Sequence, residues 1–167
     1  MKDIAMTGVS RPVPAHGRQS STRTIAGRLD AARALAGQFP LSLLELGMRV
    51  AVGATFFRSG MNKAQSFDTA IVLFREEYRL PLLPPEIAAW LGTAVELSAP
   101  VLLVLGLFAR LGAAALLAMT LTIQFLVYPA NWPEHLMWAS ILAYVLTRGP
   151  GALSIDRAIA FNLFGRA

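Results

Sequence analysis

The chain of 167 residues is 55% hydrophobic and only 15% charged, with a mean hydropathy of +0.53 and no cysteine. A soluble domain carries about 25% charged residues, so the composition reads as a membrane protein, with room for four spans of roughly 20 residues plus tails and no second catalytic domain. Absence of cysteine removes disulfides, thiolate zinc sites and iron–sulfur clusters, and a net charge of +5 gathered in the flanks of apolar runs suits lipid headgroups rather than nucleic acid.

Residues 1–39 set Lys2, Arg11, Arg18, Arg23, Arg28 and Arg33 against Asp3 and Asp30, among prolines and hydroxyl residues. This stretch is expected to be a largely disordered basic tail, with a weak amphipathic surface helix over 24–39 built on Ile25, Leu29 and Leu35. It lacks the apolar core of a secretory signal. An Arg-rich, acid-poor start fits a cytoplasmic tail or an organellar transit peptide, and the tail is preferred.

The first apolar run, Pro40 to about Met61, predicts a transmembrane helix with Pro40 in its first turn. Residues 64–84 are polar, but Phe67, Ile71, Phe74 and Tyr78 recur at helical spacing, which predicts a short interfacial helix capped by Ser66 and stopped by Pro81, Pro84 and Pro85. A second span is predicted from Pro85 to Leu105, with Glu96 in its middle and Gly106 as the stop. The third, Arg110 to Tyr128, has Gln124 as its most polar side chain, and Gly112 to Ala115 admit a neighbouring backbone. The short link 129–133 makes the fourth helix, Glu134 to Thr147, an antiparallel neighbour. At ~21 Å it falls short of the hydrocarbon thickness, so it is sunk at one end or begins earlier. Gly149-Pro150-Gly151 ends it, and Ser154 caps a short amphipathic tail helix carrying Ile155, Ile159 and Leu163.

The expected architecture is therefore all-α: a four-transmembrane-helix bundle over 40–158, preceded by the basic N-terminal tail 1–39 and followed by a short C-terminal tail, 159–167. With four spans, ten Lys and Arg residues lie on the side of the termini and four on the other. The positive-inside rule then places both termini in the cytoplasm.

On the first span Glu45, Arg49, Gly60 and Lys63 share one face, while Arg58 lies opposite and is expected to snorkel at the outer end. With the two helix ends set at one membrane boundary, Arg49 falls about 12 Å and Glu96 about 13–14 Å from the same side, at one depth. An unpaired charge facing lipid costs at least ~2.5–3.5 kcal/mol, which predicts that Arg49 and Glu96 pair, with Glu45 one turn away. Such a pair either fixes helix register or serves as a proton relay or polar-group site. Lys63 reads more readily as an interfacial cation than as a site group, and His135 more readily as a capping or interface residue than as a ligand. The chain has one other histidine, His16, far away in sequence, so no metal-ligating set and no haem held by two histidines is expected.

At these residues the sequence resembles the DoxX family of small four-helix membrane proteins. The likeness runs from Arg49 through Ser59-Gly60-Met61-Asn62-Lys63, Tyr78, Pro81 and Pro84-Pro85 to Ala88-Ala89 and Glu96-Leu97. It continues over Leu105-Gly106-Leu107, Arg110, His135, Trp138 and Gly149-Pro150-Gly151 to Leu153-Ser154-Ile155-Asp156, covering roughly 40–158. The resemblance implies Arg49, Gly60, Lys63 and Glu96 as the polar signature, and membrane redox work linked to quinone or to thiol stress. The leading expectation is an accessory or quinone-interacting subunit of a redox assembly in a bacterial inner membrane. Here Arg49 or Lys63 holds a quinone oxygen or sulfur oxyanion, Glu96 handles a proton, Glu45, Gly60 and His135 complete the site, and a partner protein supplies electrons. The alternative is a noncatalytic scaffold that recruits a soluble partner through its tail. A small proton-coupled carrier ranks last, because paired broken helices and an inverted repeat are not evident.

Overall fold

The computed structural model describes residues 19–165, which contain helices and turns and no strand. The chain divides into two units, Met1–Phe39 and Pro40–Ala167. In the first, helix α1 spans Gln19–Gly37, beginning five residues before the expected Thr24. The remaining tail expectations, on residues 1–18, lie outside the described residues.

In the second unit α2 (Leu41–Gln65) is followed by α3 (Phe67–Leu73), which continues as a π turn over Phe74–Tyr78. Ser66 stands at the predicted cap position of α3, but its side chain makes no capping bond. Then come α4 (Pro85–Leu105), α5 (Ala109–Thr122) with a second π turn over Ile123–Val127, and α6 (Trp132–Arg148). The short fourth helix thus begins two residues earlier than its apolar pattern suggests, because Pro133 fits a first turn that needs no N–H. Helix α7 (Ile155–Phe164) starts at Ser154, whose hydroxyl accepts the Arg157 N–H as predicted. It runs across residue 158, so the expected boundary between membrane domain and tail falls inside a helix.

Helix α2 packs on α4, α4 on α5, α5 on α6, and α6 returns to α2. Val52, Phe56, Leu103, Leu116, Leu142 and Val145 form the centre, with alanines filling the close crossings. Two helices are long and apolar enough to cross a membrane: Pro85–Leu105 and, with its π turn, Ala109–Val127. Only 39% and 22% of those apolar windows are buried inside the protein, so most of that surface faces outward, as a lipid-exposed helix does. Helix α2 carries four charged side chains, and α6 has 17 residues.

The contacts of two glycines fix the register between α2 and α4. A Cβ on Gly53 would meet Val104 and Pro100, and one on Gly60 would lie 2.8 Å from the Cβ of Glu96 and 3.0 Å from its carbonyl carbon. Gly60 faces rigid atoms, so Gly60→Ala must push the helices apart. We expect it to lower stability by about 1–3 kcal/mol, read as an earlier thermal midpoint in detergent. The same register overturns the depth argument. Arg49 lies beside Leu103 and Val104 at the end of α4, so residues 41–48 extend about 12 Å beyond it. The ends of the two helices are staggered rather than level.

Candidate functional site

Arg49 does not pair with Glu96. It is fully buried, and its guanidinium donates to the carbonyls of Leu103 (3.1 Å), Val104 (3.0 Å) and Leu153. The last carbonyls of a helix have no partners within it and carry partial negative charge, so a cation is well placed there. Gly106 closes α4 in the left-handed conformation (φ 68°), and a Cβ on it would strike Ser154 and the guanidinium itself. Asp156 accepts the N–H groups of Phe108 (2.8 Å) and Ala109 (3.0 Å), capping α5 from a distance. Glu45 accepts from the Tyr144 hydroxyl at 3.0 Å and leaves no room for a side chain at Gly151. Arg49, through the Leu153 carbonyl, and Asp156, through Gly106, Phe108 and Ala109, therefore fasten the 149–156 segment across one end of the bundle, with Glu45 packed against Gly151.

Glu96 instead meets Lys63. The ammonium reaches both carboxylate oxygens at 2.8 Å and the Ser59 hydroxyl at 2.8 Å, and Ser59 donates to Glu96 at 3.2 Å. Both charges are buried, at 9% exposure for Lys63 and 4% for Glu96. Ser59 and Lys63 are one turn apart on α2, which presents both to one carboxylate. Pro100, inside α4, has no N–H, so the Glu96 carbonyl loses its usual helical donor. Polar capacity thus collects at one level of α4. Beside it, the Thr93 hydroxyl is buried without a partner among the described residues.

The pair forms part of the wall of a cavity of about 450 Å³, within the range of ligand sites. Phe56, Phe74, Leu91, Val95, Met119 and Trp138 supply apolar wall, and its polar groups include Ser59, Lys63, Glu96, Tyr78, Tyr128, Glu134 and His135. Arg49 and Glu45 are outside it. Gly60 sets the closeness of α2 to α4 behind it, and His135 lies in its wall, only 4% exposed. Gln124 donates through Nε2 to the Pro129 carbonyl (2.9 Å), so its Oε1 is the acceptor facing His135 Nδ1 at 2.7 Å. Nδ1 therefore carries the hydrogen and Nε2 is the free ring nitrogen.

Both π turns line this cavity, and such turns are frequent at functional sites. Tyr78, which ends the first, and Tyr128, just after the second, meet edge to face at 5.9 Å, and the Tyr128 hydroxyl donates to Glu77. Burial, then the charge of Glu96, raises the Tyr78 hydroxyl above its ordinary range, and burial with the Glu77 bond raises Tyr128. Both remain protonated donors at neutral pH. Neither Tyr128 nor Glu77 stood out in the sequence as a site residue. Ser59 had a signal, a hydroxyl four residues before a lysine. No group of three or more His, Asp or Glu side chains among the described residues is placed to hold a metal ion.

No curated protein and no solved structure matches the chain. The DoxX family model matches residues 44–129, from the first turn of α2 to just past the second π turn, which includes Arg49, Gly60, Lys63 and Glu96 and stops before His135. With the match covering just over half of its length, on a helical fold with two outward-facing apolar spans, the chain belongs to the DoxX family and is a membrane protein.

Proposed function

We propose that this chain is a multi-pass, four-helix subunit of a bacterial inner-membrane redox assembly, with both termini cytoplasmic, and that its cavity takes a quinone. The observation that carries this reading is a buried Lys63–Glu96 pair opening onto an apolar, aromatic cavity of about 450 Å³. The membrane reading of α2 and α6 follows from their packing: α2 lies against α4 and α6 against α5, the two apolar spans.

The residues present fit the group. An aromatic head and isoprenoid chain match the apolar wall. Tyr78 offers a hydrogen to a carbonyl oxygen, while Glu96 and His135 Nε2 accept hydrogens from hydroxyls; the three N–H groups of Lys63 are taken by Ser59 and Glu96. A free sulfur oxyanion fits less well than the sequence suggested, because the one cation in the wall is neutralised by Glu96 and Glu134 adds a negative charge. Arg49, the other proposed anion holder, is bound to carbonyls elsewhere. A quinone, if bound, would accept two electrons from a partner and two protons; both protons would come from water, one after the other by way of Glu96, whose carboxylate Lys63 and Ser59 hold in place.

The test is titration of the detergent-purified chain with a short-chain ubiquinone, read by quenching of tryptophan fluorescence, since Trp138 lines the cavity. Glu96→Gln is expected to weaken binding at least tenfold, and Tyr78→Phe, which removes one hydroxyl and leaves the ion pair, about threefold. Unchanged affinity in both variants, each folded by circular dichroism, rejects the quinone site and leaves the recruiting scaffold as the better reading.

A further inference from the structure

Arg58 is not at the outer end of its span. Gly60 abuts Glu96 and Ser59 bonds to it, so Arg58, half a turn earlier, lies level with the stretch of α4 just after Glu96. That is within about 5 Å of the middle of a 21-residue span. The side chain is exposed, on the side of α2 opposite the buried Arg49, Val52, Phe56 and Gly60, and has no hydrogen bond or ion pair among the described residues. An arginine facing acyl chains at that depth is strongly disfavoured, and the headgroups lie too far off for easy snorkelling.

The surface around it is mixed. Val50, Phe57 and Met61 are exposed beside it, as apolar residues are on α4 and α5. The line of α2 through Arg58 also exposes Gly47, Ala51, Ala54, Asn62 and Gln65, with nothing within 4 Å of where a Cβ on Gly47 would be. Small residues let a second helix come close, and the polar ones find partners across such a contact.

We infer that this face of α2 docks a transmembrane helix of another protein, one bearing a carboxylate near mid-membrane that pairs with Arg58. Charge selects this occupant. In a membrane, a second copy related by a two-fold axis sets Arg58 against its own equivalent at equal depth. Its own mid-depth carboxylate, Glu96, is buried and bound to Lys63. A lipid phosphate is about 15 Å away along the normal. The inference uses the membrane reading of α2 given above and does not depend on the quinone.

The experiment places the full chain, donor-labelled, in phosphatidylcholine nanodiscs at pH 7 with an acceptor-labelled Leu/Ala transmembrane peptide carrying one central Glu. Energy transfer is expected to report association, at least tenfold weaker for Arg58→Leu and for a peptide with Leu in place of Glu. Ala54→Leu, which keeps the arginine and fills the groove beside it, also weakens it. Circular dichroism and thermal unfolding of Arg58→Leu and Ala54→Leu in the same discs check that the fold is intact. Equal association for wild type and Arg58→Leu, or none with the Glu peptide, overturns the inference. So does self-association of the wild-type chain that Arg58→Leu abolishes, which identifies a second copy as the occupant.

Discussion

Replacing Lys63 with methionine is expected to destabilise the chain by about 3–5 kcal/mol, the usual cost of removing one partner of a buried ion pair. Methionine fills similar volume, so little of the loss comes from packing. The loss arises because Glu96, 4% exposed, keeps only Ser59 as a donor and is left inside without its counter-ion. Removing both charges is a different case. Lys63→Met with Glu96→Gln leaves no uncompensated charge, and a well-packed neutral pair often equals a buried salt bridge in stability. The double variant is therefore expected to recover most of the loss, so the coupling between the sites is at least as large as the part recovered, about 3 kcal/mol or more. Unfolding by graded sodium dodecyl sulfate in mixed micelles measures all four corners of the cycle. Additive losses would show that the two groups do not act as a pair. If the double variant is stable yet binds no quinone, the pair is retained for chemistry at the expense of nothing structural.

How much of this was legible in the sequence differs from element to element. Helix α4 was readable to the residue, because Pro85 and Gly106 punctuate an uninterrupted apolar run, and Glu96 stood out inside it. Its partner was not readable. Arg49 and Lys63 share a face of α2, and choosing between them required the stagger of two helices. That stagger depends on where Gly53 and Gly60 let α4 approach, a property of packing and not of hydropathy. The same error of level hid Arg58 at mid-span. The π turns were a separate obstacle. Each inserts one residue into the helical repeat. The Phe67, Ile71, Phe74 and Tyr78 stripe still meets in one cluster, but no local signal brought Tyr128 and Glu77 to its end. His135 was visible as a residue, but its orientation comes from Gln124, on the far side of a turn whose geometry no local signal specifies. The 149–156 strap was visible only as punctuation. Its role required knowing that Leu153 offers a carbonyl to Arg49.

That strap makes Arg49 the second position of large expected effect. Its planar guanidinium spans carbonyls on two separate segments, the end of α4 and residue 153, while the carboxylates of Glu45 and Asp156 lie close enough to act on its charge. Arg49→Leu removes the donors, leaves those buried carbonyls short of partners and unbalances the two acids, so a loss of about 3–5 kcal/mol is expected. Arg49→Lys keeps the charge on a similar length of stem but loses the fork that reaches both segments, and an intermediate loss of about 1–3 kcal/mol is expected. The damage should be local before it is global. In hydrogen exchange, the Asp156 amide bonded to Gly106, and the Phe108 and Ala109 amides bonded to Asp156, are expected to lose protection first, while amides around Glu96 keep theirs. Quinone affinity of the folded protein is expected to be unchanged in Arg49→Lys, because the cavity wall does not include residue 49. The opposite pattern, intact protection of 106–109 and 156 with lost quinone binding, would return Arg49 to the ligand site from which the staggered register removes it.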